Sequence, residues 1–373
     1  MALGPKLFWT ASCLGLGLLT ACAATDPGSG TERDAGVGSD SAGPALVLYA
    51  APSLLRDPLL EAFQRRHGIA VERRAYSVPE HAAEAIREGR ALDLALLPGE
   101  LIPGLAADGL LRRIDGARQL SGFSQVPVAL RDLSVDPANR YSVPLAYGSV
   151  GLVLRLDRLA AVPARWADLW APAYGGRLVV RDRPRDLLGA SLLAFGQDGD
   201  SEDPQALRQA ADHLLDLPPP GPRIIPVDLP AGRALSAEGA AILLGRAADY
   251  WEARAAGLDV AYALPMEGGL LWSEHLVLPA SGENPEAALA FIDFLLDAEI
   301  SARIIRDARV ATAHLRAPGL LVPELAEDRI VFPAGESLVR SRFQWPRSAA
   351  GQALYNSLWP EVKASLSGRG GRP

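Results

Sequence analysis

The chain has 373 residues, 49% of them hydrophobic and 22% charged, a balance that excludes fibrous and multi-span membrane proteins and leaves room for two packed cores. Lys and Arg number 37 against 44 for Asp and Glu, and the net charge of -7 argues against a nucleic-acid or anionic-membrane binder. Both cysteines, Cys13 and Cys22, precede residue 30, so the rest of the chain has no disulfide framework, zinc ribbon or cysteine nucleophile.

Lys6 stands before an uncharged apolar run from residue 7 to residue 19, which reads as a secretory signal over 1–21, too short to span a bilayer. The run closes on Leu19-Thr20-Ala21-Cys22, which resembles the bacterial lipobox. That resemblance implies a diacylated Cys22 at the start of the mature protein. Ala23 is not the aspartate that commonly retains such proteins at the inner membrane, so outer-membrane delivery is compatible with it. Residues 22–44 are rich in Gly, Ser, Asp and Thr and read as a flexible tether, with the fold beginning near Pro44.

Leu46-Val47-Leu48-Tyr49 reads as a strand, and Asp57-Pro58 as the cap and first-turn proline of a helix stopped by Gly68. A second strand at 69–72, a helix over 79–90 and a third strand at 92–97 follow. Alternation of this kind predicts an α/β fold with mostly parallel sheets, whose ligands lie beyond the carboxyl ends of the strands, so the loops 50–53 and 98–100 are expected to face a ligand. Pro, Asp and Asn interrupt the pattern around 127–144. It resumes with strands at 151–154 and 177–180, an amphipathic turn at 166–170, a capped helix start at Asp203-Pro204, a break at 218–221 and a helix opened by Asn284-Pro285.

Tyr141-Ser142-Val143-Pro144 with Tyr147-Gly148 and Gly151, Trp166-Ala167-Asp168-Leu169-Trp170 with Gly175-Gly176, Trp272-Ser273-Glu274 with Leu278-Pro279, and Asn284 to Ala288 with Phe291 to Leu296 resemble, in order and spacing, the solute-binding proteins of ABC importers, in their spermidine/putrescine-binding branch and lipoprotein form. The resemblance runs from about Leu46 to Trp359. It implies a two-lobe periplasmic-binding-protein fold of type II with an interlobe cleft. Its lobes would be discontinuous, 45–145 with 276–320 and 146–275 with 321–366, ahead of a disordered tail at 367–373. It further implies a periplasmic, lipid-anchored monomer that delivers a small solute to an inner-membrane permease, without cofactor, metal, nucleic acid or catalysis.

On a strand, Trp272 and Glu274 share a face roughly 7 Å apart, an aromatic surface beside a carboxylate that suits an ammonium group. In the family these positions bind the polyamine. The same resemblance implies ligand contacts at Asp186, Gln344 and Tyr147. Departures are equally definite: Ala51, Pro52 and Leu54 stand where the family has aromatic and polar contacts, Gly99 and Leu101 where it has Ser and Tyr, Arg183 where it has an acid, Arg246 where it has a tryptophan, and Val310 where it has a tyrosine. Either the two arginines pair with Asp186 and Glu274, or the solute is zwitterionic or anionic and Arg183 and Arg246 clamp it, or the match shifts locally at Arg246, since Asp249, Tyr250 and Trp251 lie one helical turn away. A ligand-sensing lipoprotein would need the same closure.

Other chemistries find no support. With Lys6 and Lys363 the only lysines, no phosphate-binding GxxxxGK exists, and the five histidines, read as surface or helix-end residues, never reach a metal-ligand spacing. The acidic run 198–203 imitates a calcium loop but has Gln209 at the twelfth position. No nucleophile and base pair up.

Overall fold

In a computed structural model, which describes residues 45–369 apart from 77, 132 and 334, the alternation read from the sequence is present. The signal, Cys22, the tether to residue 44 and the last four residues lie outside the described residues. Gly68 ends the helix Asp57–His67 in the left-handed region (φ 70°), donating its N–H to the Gln64 carbonyl. Asp57 is not the cap of that helix; Arg56 holds the position, and Asp57 in the first turn pairs with Arg73 at 2.6 Å. Asp203 does cap its helix, Pro204–Leu215, through two backbone N–H groups. The helix Pro79–Arg87 stops three residues short of the expected 90.

The strands are β1 (Leu46–Tyr49), β2 (Val71–Arg74), β3 (Leu94–Pro98), β4 (Ser142–Arg155), β5 (Leu178–Arg181), β6 (Arg223–Ile225), β7 (Ile242–Arg246), β8 (Val260–Ala263), β9 (Leu270–Val277), β10 (Ala311–Thr312) and β11 (Arg342–Phe343). They form one sheet in the order β2-β1-β3-β9-β4-β7-β5-β6, with β8 and β10 added on β4 and β11 on β9. Two parallel sets, β2-β1-β3 and β7-β5-β6, flank a central antiparallel pair, β9 and β4, in which β9 runs antiparallel to β3 and β4 runs antiparallel to β7.

Period-two alternation buries both faces of the inner strands β3 and β7, while the edge strand β2 leaves Glu72 and Arg74 exposed. In β3, Leu94 and Leu96 join the main core while Ala95 and Leu97 pack under the helix Pro79–Arg87 with Ala82, Ala83 and Ile86. In β7, Ile242 and Leu244 join the main core while Leu243 packs with Ala231, Leu235 and Tyr250. Phe291 and Phe294 of the helix Pro285–Leu295 meet Phe63 edge to face, 4.8 and 5.4 Å between ring centres, which returns this late segment to the β1 side. The last helix, Ala349–Arg369, packs on Pro204–Leu215 and includes 367–369, which had been expected to form a tail.

The interruption expected up to residue 144 ends earlier, because β4 starts at Ser142 and runs for 14 residues through Pro144. A register shift between Pro144 and Ala146 lets the strand keep its pairing with β9 although Pro144 has no N–H to give. Asp136, 3% exposed, fixes the entry by accepting hydrogen bonds from the backbone N–H groups of Arg140, Tyr141 and Ser142 and from the Ser142 hydroxyl.

Candidate ligand-binding site

A cavity of about 610 Å³ lies where the carboxyl ends of both parallel sets meet the central pair. Residues 51–54 after β1, Ala75 and Tyr76 after β2, Arg181, Arg183 and Asp186 at the end of β5, 227–230 after β6, and Arg246 and Asp249 at the end of β7 line it. Trp272 and Glu274 of β9 complete the wall, opposite Gly148 and Ala146 of β4. Gly148 is required there, since a Cβ on it would stand 2.6 Å from Cζ2 of the Trp272 indole. Five carboxylates (Asp186, Asp228, Asp249, Glu252, Glu274) face three guanidiniums (Arg181, Arg183, Arg246), so the lining is net acidic.

The expected face shared by Trp272 and Glu274 is present, and a guanidinium of the chain itself sits on it. Arg246 Cζ stands 4.3 Å over the Trp272 ring, and its Nη1 lies 3.7 Å from Glu274 Oε1. The other carboxylate oxygen, Oε2, is buried with no hydrogen-bond partner. Burial pushes the Glu274 carboxyl up to about 7, against the opposing pull of Arg246. Burial and then the Arg183 charge hold Arg246 below its ordinary value, with Glu274 acting in the opposite direction. Arg181 is paired with Asp249 at 2.5 Å and donates hydrogen bonds to the carbonyls of Val227 and Leu229. The second oxygen of Asp249 accepts the Arg246 backbone N–H at 2.7 Å. Among the described residues, no carboxylate forms an ion pair with Arg183.

Asp186, in the first turn of the helix Pro184–Ala194, is buried and accepts a 2.8 Å hydrogen bond from Gln344 Nε2. Gln344 does not line the cavity and reaches it through Asp186; it follows β11, which pairs with β9. Tyr147 is not brought to the cavity. It pairs with Ser273, one residue out of step with Trp272 and Glu274, and so lies on the opposite face of the central pair. The loop 50–53 does border the cavity, but 98–100 does not: Glu100 instead pairs with Arg185 at 3.5 Å, which also bonds Asp200 at 2.7 Å. On another side of the cavity, beyond Val310, Arg309 lies 4.6 Å over the Trp251 ring.

The histidines are not all at the surface. His275 is fully buried between Ser142 and Ser273 hydroxyls, 3.2 and 3.0 Å away, and burial lowers it to about 3. No group of three or more His, Cys, Asp or Glu among the described residues is placed to hold a metal ion, and Asp200 and Asp203 of the acidic run are engaged by Arg185 and by a helix start. Tyr76, Asp228 and Glu252 were missed by sequence reasoning, which named Asp249 only as a residue one helical turn from Arg246. All but Glu252 stand within four residues of a strand end, the signal that had singled out 50–53.

Residues 59–319 match the family model of the bacterial extracellular solute-binding proteins. The spermidine/putrescine-binding periplasmic protein of Escherichia coli is 28% identical over 324 residues, 86% of this chain and 91% of that one. The putrescine/cadaverine-binding protein of Pseudomonas aeruginosa is 26% identical over 341 residues, 88% and 96% of the two chains. Among solved structures, the spermidine/putrescine ABC transporter substrate-binding protein PotD of Streptococcus pneumoniae superposes with a TM-score of 0.76 at 25% identity, over 86% of this chain and 99% of that one. The type II periplasmic-binding fold expected from the motifs is thereby borne out, and the chain belongs to the bacterial extracellular solute-binding protein family.

Proposed function

We propose that the protein is the extracytoplasmic solute-binding component of an ABC importer, lipid-anchored through Cys22, and that it captures a small amine-bearing solute of the polyamine class for delivery to the permease. The observation that carries this reading is the unpartnered Oε2 of Glu274, a buried acceptor on a side chain that lines a net acidic cavity beside Trp272. Names of similar proteins from several bacteria, which specify spermidine, putrescine or cadaverine, support the solute class. The lobes proposed are 45–145 with 276–320 and 146–275 with 321–366. They close about the crossing strands near Tyr147 and Leu276, because β4 and β9 are the connection between the two parallel sets within the sheet.

A thermal-shift screen of diamines, polyamines and diamino acids tests the reading, since a ligand of the folded state alone raises the melting temperature. Small-angle scattering at saturation should show a smaller radius of gyration. No shift with any of these amines at millimolar concentration refutes amine capture.

A further inference from the structure

We infer that the solute of this cavity carries a carboxylate as well as its amines, a diamino acid in place of a simple diamine, and that Arg183 and Arg246 make the distinction. The inference rests on the amine-capture reading and sharpens it. The aromatic face offered to a cation is already covered, with the Arg246 guanidinium 4.3 Å above Trp272. A diamine entering here meets that charge and leaves Arg183 without a counter-ion. Arg183 lines the same space, and among the described residues it has no carboxylate partner, while its charge bears directly on Arg246. Two guanidiniums bordering one partly desolvated space, one unpaired and the other 3.7 Å from its carboxylate, favour an anion between them, and a planar carboxylate suits their donor geometry.

Arg181, the third cavity arginine, is not available for this, being occupied by Asp249 and two carbonyls. For the ammonium groups the wall still offers the unpartnered Oε2 of Glu274 together with Asp228 and Glu252. The cavity is therefore bipolar, acidic in sum with a basic pair inside it. A solute with two ammoniums and one carboxylate satisfies both parts, whereas a diamine satisfies one and opposes the other.

Compounds that differ only by the carboxylate isolate the point: ornithine against putrescine, and lysine against 1,5-diaminopentane, titrated calorimetrically into the purified full chain at moderate salt. Wild-type protein is expected to hold at least one amino acid about tenfold or more tighter than its parent diamine. Arg183→Gln should shrink that preference to about threefold or less, and Arg246→Met, which keeps an apolar side chain over Trp272, should do the same. Diamines bound as tightly as their carboxylated counterparts, or more tightly, overturn this inference and leave amine capture standing. No binding by either pair overturns this inference, and only if spermidine and the other amines of the thermal-shift screen also fail does amine capture fall with it. A full preference retained in both variants, with melting temperatures showing them folded, overturns the assignment to these arginines.

Discussion

Replacing Glu274 by Gln keeps the volume of the side chain and removes its charge. The wild-type carboxyl sits near 7 because it is buried, so in the empty cavity at pH 7 about half of the molecules carry it ionised. An ammonium arriving at Oε2 favours the ionised form, and below pH 7 binding must therefore expel a proton. Affinity should rise with pH, by about tenfold from pH 6 to pH 8, and level off above that. A hydrogen bond to a charged group is worth about 1.5–3 kcal/mol, so Glu274→Gln should weaken amine binding about tenfold to a hundredfold at pH 8. At pH 6, where the wild-type group is mostly neutral, the gap should narrow, and the Gln profile should be flat. Calorimetric titrations at pH 6, 7 and 8, in buffers of different ionisation enthalpy to count the released proton, read both quantities. A Gln variant with the wild-type affinity and the wild-type pH slope would place the amine elsewhere and refute the reasoning.

Gly148→Ala should drive the Trp272 indole toward the cavity, because the new methyl would stand 2.6 Å from the ring; solute affinity should fall about tenfold, while overpacking costs about 1–3 kcal/mol of stability, measured by calorimetry and by denaturant titration followed through tryptophan fluorescence. Asp93 is 4% exposed and accepts hydrogen bonds from the backbone N–H groups of Val47, Glu283 and Asn284 and from the Asn284 side chain, joining β1 to the start of the helix Pro285–Leu295. Asp93→Ala should cost about 3 kcal/mol or more in urea unfolding, and a loss under about 1 kcal/mol would count against this joint. Burial alone would raise the Asp93 carboxyl, but these hydrogen bonds together hold it below its ordinary value of 3.8, so its stabilisation is fully present above that value and lost as pH falls below it; the gap between wild type and the Ala variant should stay constant in mild acid and shrink only below 3.8. Cys22→Ser should abolish metabolic lipid labelling and detergent-phase partitioning, and full labelling of that variant would refute the lipobox reading.

Trp272 and Glu274 were legible because strand alternation alone puts them on one face, and β9 extends as the pattern requires. Tyr147 shows the limit of the same rule. Its motif is continuous in sequence, yet the register with β9 turns it to the far side, and register depends on a partner strand more than a hundred residues away. Pro144 hid the start of β4 for a related reason, since a proline demotes a strand locally and only the register shift beside it shows how pairing survives. The opposition of two arginines was visible as composition of the motif positions, whereas the seat of Arg246 on Trp272 is a tertiary contact between β7 and β9, strands separated in the sheet by β4. Asp57 missed its role as a cap because Arg73, on the neighbouring strand, offers its carboxylate an ion pair.

In the lobe motion proposed above, the link between Glu100 and Arg185 would have a kinetic meaning. It ties the turn after β3 to the helix after β5, and the cation–π contact of Arg309 with Trp251 makes a similar tie between the residue ahead of β10 and the helix Ala247–Ala255. Neither pair touches the position a solute would take, yet separating the walls around the cavity breaks both. In the proposed opening of the lobes, residence time would then depend partly on side chains outside the cavity lining, and chains with identical pockets would release at different rates. A permease that engages Glu100 or Arg309 from outside would hasten unloading without competing for the solute at all.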